Sequence, residues 1–318
     1  LDSIDYANGT IRLDGKEYKL LDSNFPTIDP DNPYELSSEE ALVVERLTSA
    51  FTNCEKLQRH MNLLLKKGSL YKVHNNNLLY HGCIPLNEDG SFKAVDIYGK
   101  KYKGKALYEV LEAYVRKAFV AIDENEKEKG KDILWFIWSS PGSPLFGKQK
   151  MATFERYFLA EKETHEEKKN PYYRLLEDET VINRIMREFG LEEGCAHIVN
   201  GHVPVHHAAG ESPIKCNGKV LVIDGGFSKA YQKETGIAGY TLIYNSWGMI
   251  LAAHEPFTSA EDAITRETDI LSDSILVKRS MIRKTVEDTD NGRKLKENIE
   301  ELKALLAAYR SGTIIEKE

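Results

Sequence analysis

A mixed α/β fold, with β-sheets flanked by helices, is predicted by three features of the 318-residue sequence. Short strand-forming runs such as LLYHGC, KVLVIDGG and MILAAH interleave with segments of helical apolar spacing along the whole chain. Turn signals separate them at short intervals, and nothing in the middle reads as a flexible linker. A 41% hydrophobic content at this length fills a sizeable core. Residues 1–318 are therefore expected to belong to one domain.

The opening SIDYANGTIRLDGKEYKLL predicts strands joined at Asn8-Gly9 and Asp14-Gly15 turns. The prolines of NFPTIDPDNPYE exclude a helix there. Ser37 to Glu40 forms a capping box, and a single long helix should run on through Leu42, Leu47, Phe51, Leu57, Met61 and Leu64 to a stop at Gly68. SLYKVH and LLYHGC predict a hairpin across His74 to Asn77. A helix over about 104–128 should lead through the solvated charge run DENEKEKGKD into ILWFIW, read as a buried strand at 133–138. FERYFLAEKETHEEKK is expected to be helical up to Asn170-Pro171, and DETVINRIMREFG helical up to Gly190. CAHIVNGH, KVLVIDGG, YTLIYNS, MILAAH and SILVKRS predict strands, with an Asn217-Gly218 hairpin signal before the second. An amphipathic helix over about 291–310 closes the chain.

The formal charge of −7, from 43 basic and 50 acidic residues, argues against a dedicated nucleic-acid surface. No apolar run approaches the roughly 18–20 residues that span a bilayer, and no signal segment opens the chain, so a cytoplasmic location without membrane contact is expected. Cys54, Cys83, Cys195 and Cys216 are widely spaced, which favours free thiols over a disulfide framework or zinc knuckle. The chain opens at Leu1, not Met, inside a strand-like run, as if entered midway.

Three strand ends carry the chemistry. Tyr80-His81-Gly82-Cys83, Asn200-Gly201-His202-Val203-Pro204 and Ile223-Asp224-Gly225-Gly226 each place a polar side chain beside glycine at the end of an apolar run. Glycine there lets backbone approach closely. His81 and His202, from different strands, can converge on one metal ion, the competing interpretation being two hydrogen-bonded histidines at strand ends. Pro204 breaks any helix near His206 and His207, which should line a loop. Cys83 shares a strand face with His81, but no orienting group for a thiol nucleophile is implied.

These residues resemble a known pattern. YHGCIP, NGHVPV, VIDGG and the intervening IWSSP are similar to motifs of the metallophosphoesterase superfamily. NLLYHGCIPLNEDGSFK, SPLFGK, GESPIK, VIDGGFSKAYQKETGIAGYTLIYNSWGMILAAHEPF and DTDNGRKLKENIEELKALLAAYR look more closely like bacterial class III fructose-1,6-bisphosphatases, over residues 1 to about 310. The resemblance implies the C-terminal part of a calcineurin-like metallophosphoesterase sandwich. It implies hydrolysis of the 1-phosphate of fructose 1,6-bisphosphate in gluconeogenesis by a two-metal mechanism, with manganese the expected metal. His81 and His202 would be imidazole ligands. Asp224 would either orient a ligating histidine or cap a turn, Asn200 would support the same site, and Lys229, Lys233 and Arg156 are candidates for substrate phosphate.

The Asp-x-His, Gly-Asp-x-x-Asp-Arg-Gly and Gly-Asn-His elements of that family do not occur in the chain and should lie upstream. The intact protein is thus expected to be an enzyme, and this chain alone inactive. A missing N-terminal portion would be its partner, and the fragment should self-associate through the apolar face so exposed. The rival functions are another metallophosphatase, acting on phosphoprotein or a dinucleotide, and a non-catalytic regulatory or oligomerisation module.

Overall fold

The computed structural model describes all residues except 193, 227, 257–258, 268–271 and 316–318; Phe227, within the VIDGGFSKAYQ block, thus lies outside the described residues. In chain order come β1 (Ile4–Asp5), β2 (Thr10–Leu13), β3 (Lys16–Lys19), α1 (Ser38–Thr52), α2 (Glu55–Lys67), β4 (Tyr71–His74), β5 (Asn77–Tyr80), β6 (Val95–Ile97) and β7 (Lys100–Tyr102). Then follow α3 (Gly104–Val120), α4 (Glu124–Ser139), α5 (Thr153–Phe158), α6 (Glu179–Glu188), β8 (His197–Asn200), β9 (Ile214–Lys215) and β10 (Val220–Val222). The chain ends with α7 (Lys229–Thr235), β11 (Gly239–Asn245), β12 (Gly248–His254), α8 (Ala260–Arg266), β13 (Ser272–Arg279) and α9 (Asp290–Arg310). Mixed α/β architecture is thus what the sequence folds into. No helix among the described residues is long and apolar enough to cross a membrane.

Two compact units divide the chain: residues 1–70 with 93–170, and residues 71–92 with 171–318. In the first, the predicted Asp14-Gly15 turn joins β2 to β3 with both residues at positive φ, and the β1–β3 meander packs Ile11 and Leu20 around Leu159. The capping box is present: Ser37 Oγ accepts from the Glu40 amide and the Glu40 carboxylate accepts from the Ser37 amide. The long helix is broken, however. Asn53 ends α1, Cys54 is extended, and α2 starts afresh; neither helix buries a residue, so Leu42, Leu47, Phe51 and Leu64 are exposed. α2 is only partly covered, at Leu57, Met61 and Leu65, and is held at its end by Arg116, which donates to the Leu65 and Gly68 carbonyls; with no buried stripe along both helices, nothing holds a continuous register across the break.

Three further expectations are corrected in this unit. ILWFIW is the second half of α4, not a strand: Asp123 caps the helix through the Glu126 amide, and the helix then carries Ile133 and Ile137 into the core at i,i+4 spacing. A strand would bury alternate residues, whereas Trp135 and Trp138 are exposed. The charge run accordingly lies inside α4, and the helix expected over 104–128 stops at Val120 because Ala121 is extended. Finally, α5 covers only Thr153–Phe158; Leu159 turns extended and is buried against the meander, while the Phe158 carbonyl accepts from the Leu21 amide. Tertiary burial of one leucine overrides local helix preference there.

The second unit holds the strand ends of interest. Its five-stranded sheet runs in the order β4-β5-β8-β10-β9. β5, β8 and β10 are parallel neighbours, with β4 and β9 antiparallel at the edges. Asn75 and Asn76 form the two-residue β4–β5 hairpin with φ of 48° and 59°, a conformation asparagine tolerates. Asn217-Gly218 likewise turns β9 into β10. A second sheet, β11-β12-β13, is antiparallel and packs on the first through Val199, Leu221 and Met249. Beside them α6 buries Val181, Ile182, Ile185 and Met186 as one helical face and ends at Gly190, where φ is +74°.

Candidate metal centre

Parallel strands deliver their following residues to one edge of a sheet, outside their carboxyl ends. Leu78, Ile198 and Leu221 are fully buried and anchor β5, β8 and β10, and the register pairs Leu79 with Val199 and Val222 with Asn200. All three polar groups therefore emerge at the same level. Hydrogen bonding continues past the strands: the Gly201 amide donates to the His81 carbonyl at 2.9 Å and the Ile223 amide to the Asn200 carbonyl at 2.9 Å. The Val205 amide donates to the Asp224 carbonyl at 2.8 Å.

The two histidines meet. His81 Nε2 lies 3.0 Å from His202 Nδ1, with ring centroids 4.9 Å apart and planes at 71°. His202 adopts φ +72°, held there as the Val203 amide donates back to the Gly201 carbonyl. A left-handed non-glycine residue costs on the order of 1–3 kcal/mol and persists only where its surroundings impose it, most often at functional sites. Partial burial, and then the neighbouring His202, hold His81 below the usual imidazole range, against a raising effect of Asp224. Two imidazole nitrogens facing each other at this distance are a donor set suited to a cation.

Asp224 Oδ1 accepts from the Gly226 amide at 3.0 Å, so it does cap a turn, while its charge stands close enough to His81 to act on it. Asn200 is 2% exposed; its Nδ2 donates to the Gly82 carbonyl at 3.2 Å, and its Oδ1 has no partner among the described residues. An unpaired buried acceptor costs on the order of 1–3 kcal/mol, which marks this edge as polar space built for something else. Cys83 is fully buried and its thiol is pushed up to about 12 by that burial, so it supplies no thiolate here. Lys229 and Lys233 lie exposed on α7. Arg156 belongs to the first unit, where its guanidinium reaches Glu167 at 3.3 Å. His206 and His207 fall on a short turn after Val205, as a loop reading expects.

The close backbone approach expected beside these strand-end glycines is found at Gly225. A Cβ on Gly225 would lie 2.7 Å from the Gly239 Cα, so this glycine lets the chain after Asp224 pass against the start of β11. What the sequence did not indicate is the partner, Gly239, fourteen positions on.

Among the described residues no group of three or more histidine, cysteine, aspartate or glutamate side chains converges as a metal cluster. The imidazole pair alone fits part of one: two nitrogens bound at about 2.1 Å and at right angles to each other stand about 3 Å apart. The oxygen ligands that a hard divalent ion favours are not supplied beside this pair among the described residues. Comparison with known proteins gives the arrangement a lineage. The chain belongs to the Firmicute fructose-1,6-bisphosphatase family, whose family model matches residues 1–311. It is 55% identical over 317 residues to the class 3 fructose-1,6-bisphosphatase of Listeria monocytogenes serotype 4b (strain CLIP80459), covering 99% of this chain and 48% of that protein. Identity is 56% to the proteins of the same name in Clostridioides difficile (strain 630) and Clostridium acetobutylicum, with the same coverages. The chain thus spans about half the length of the curated relatives it matches. No solved structure matches it.

Proposed function

We propose that the whole protein is a metal-dependent fructose-1,6-bisphosphatase of gluconeogenesis, acting in the cytoplasm, and that residues 1–318 are the C-terminal portion of its one catalytic domain. The observation that carries this is the 3.0 Å approach of His81 Nε2 to His202 Nδ1 at the ends of two parallel strands. In this proposal those imidazoles hold manganese, and the carboxylate ligands come from the part of the relatives' length that this chain does not span. A bound metal pair supplies Lewis acidity and a nucleophile for in-line displacement at phosphorus, converting fructose 1,6-bisphosphate and water to fructose 6-phosphate and phosphate.

The chain's own contribution is positioning. The buried strands fix the two imidazoles, the left-handed turn at His202 aims its Nδ1, and Asp224 offsets positive charge at His81. Asn200 Oδ1 offers an acceptor beside them. Lys229 and Lys233, unpaired among the described residues, are proposed phosphate contacts; Arg156 is the weaker candidate, being engaged by Glu167. Two neutral donors hold a hard divalent ion weakly, so the chain alone should be inactive. Manganese-dependent phosphate release from fructose 1,6-bisphosphate, measured for the full-length protein and for this chain, tests the proposal. Activity in the first only is expected; turnover by residues 1–318 alone would show a complete site within them and refute the ligand assignment.

A further inference from the structure

At the opposite edge of the five-stranded sheet, where β5 and β8 begin, lies a cavity of about 120 Å³ that the proposed reaction does not use. His197, Asn77, Lys278, Ser280 and Lys284 line it, and no carboxylate does among the described residues. His197 is 6% exposed and pairs in register with Asn77, whose Oδ1 lies 3.2 Å from its Nδ1. The direction of that bond is set by Asn77. Its Nδ2 donates to the carbonyls of His74 at 3.1 Å and Asn75 at 2.9 Å, so Oδ1 must accept and His197 Nδ1 must carry the proton. Nε2, with no partner among the described residues, is the nitrogen left for the cavity.

The positive side is equally bare. Lys278 is half-buried on β13 and forms no ion pair among the described residues; the Lys284 ammonium donates to the Tyr244 hydroxyl at 3.4 Å and lies over the same ring, with no salt bridge among the described residues. Two ammonium groups beside a buried imidazole oppose its protonation, and burial with Lys278 and Lys284 pushes His197 down to about 4. An adjoining hollow of about 300 Å³ shares Asn75, Cys195, Tyr244 and Lys284 with the cavity and is lined farther out by Asp288, Asp290 and Arg293. There Asp290 is 2.7 Å from Arg293 and accepts from the Asn75 amide, while Asp288 lies close enough to Lys284 to feel its charge. Asp288 thus offsets part of the Lys284 charge from the outer hollow, and Lys278 is the cation that faces the inner cavity without a carboxylate among the described residues.

We propose that this cavity binds the phosphate group of a small phosphorylated anion through Lys278, Lys284 and His197 Nε2, with the adjoining hollow taking the ligand's body. Charge-assisted bonds to phosphate are strong in such partly dry surroundings. Phosphate is singled out among anions by the proton. With Nδ1–H committed to Asn77, Nε2 presents a lone pair at neutral pH, which repels an oxyanion that brings no hydrogen. A phosphate monoester, whose second pKa is about 6, is mostly dianionic at neutral pH but takes up a proton from solvent within about one pH unit of it, and in the bound state that proton is shared between a phosphate oxygen and Nε2. Besides the lysines, the groups facing His197 are Asn77 from β5, Cys195 ahead of β8 and Tyr244 from β11, with Asp288, Asp290 and Arg293 in the outer hollow.

The test is an NMR titration of the His197 imidazole with inorganic phosphate, in chelator-containing buffer and in a His81→Ala, His202→Ala background that removes the other site. Binding should be saturable at millimolar phosphate and raise the His197 pKa by at least one unit, a tenfold linkage. Lys278→Met with Lys284→Gln should weaken phosphate binding at least tenfold, and the exposed single change Lys284→Gln about threefold. Sulfate, which carries no proton at neutral pH, should bind at least tenfold more weakly than phosphate. No saturable change up to about 50 mM phosphate, an affinity unmoved by both lysine variants, or sulfate equal to phosphate would each overturn the proposal. Because the background lacks both candidate metal ligands, the outcome is independent of the proposed catalytic function.

Discussion

The two ends of β8 carry the same residue types and treat them oppositely. At its start His197 is buried, paired in register with Asn77, and fixed in one tautomer by an amide that is itself anchored to two carbonyls. Past its other end, Asn200 keeps an unpaired oxygen and His202 sits at φ +72° facing a second imidazole. At the first end one imidazole nitrogen is tied into the fold and the other is left to face a cavity; at the second an amide oxygen is unspent and the backbone is strained. Histidine at a strand end is therefore uninformative by itself; what its other nitrogen faces, and what backbone conformation holds it, decide which chemistry it can serve.

The largest effect should come from replacing His202 by asparagine, which tolerates the left-handed backbone but lacks the imidazole. In the full-length protein we expect manganese-dependent turnover to fall at least about 1,000-fold, roughly 4 kcal/mol, while stability to urea stays within about 0.5 kcal/mol. His81→Ala should cost as much activity. Stability and activity falling together in the asparagine variant would make His202 a structural residue and erase the contrast with His197.

The other end predicts an acid effect of roughly 3 kcal/mol. His197 has a folded value of about 4 against an ordinary 6.5, so the unfolded chain takes up the proton first. The native state is unpenalised above about 6.5, loses stability as pH falls toward about 4, and loses no more from this group below that. Urea unfolding in phosphate-free buffer between pH 7 and 4 should show this loss, and His197→Gln should flatten the profile over that window. An unchanged profile in the variant would mean that His197 is not the buried neutral group the geometry describes.

Both ends were unevenly legible in the sequence. His81, His202 and Asp224 stood out because each follows an apolar run and adjoins glycine, a local signal that survives without coordinates. His197 did not, since CAHIVN shows only a polar residue at the start of a strand; its partner Asn77 is 120 positions away, and only strand pairing joins them. The same division holds for the fold. Turns and caps at Ser37, Asn75-Asn76 and Gly190 depend on neighbours in sequence and were legible. The α4 segment ILWFIW and the extended Leu159 were not, because a charged stretch ahead and a distant meander decide them.

The smallest predicted effects separate two glycines at the end of the sheet that carries His81 and His202. Gly225→Ala places a methyl 2.7 Å from the Gly239 Cα and 2.8 Å from Ile237 Cδ1. Backbone cannot swing away as a flexible side chain can, so a loss of about 2 kcal/mol is expected, as for overpacking generally. Gly201→Ala meets nothing nearer than Asp224 Cβ at 3.5 Å, an ordinary contact, and should change stability by less than about 0.5 kcal/mol. The two variants compared by thermal denaturation would show which glycine the turn into the site requires for space. If Gly201→Ala proved the more damaging, the His81–Gly201 backbone bridge, rather than the approach of Asp224's loop to β11, would be what holds this end of the sheet together.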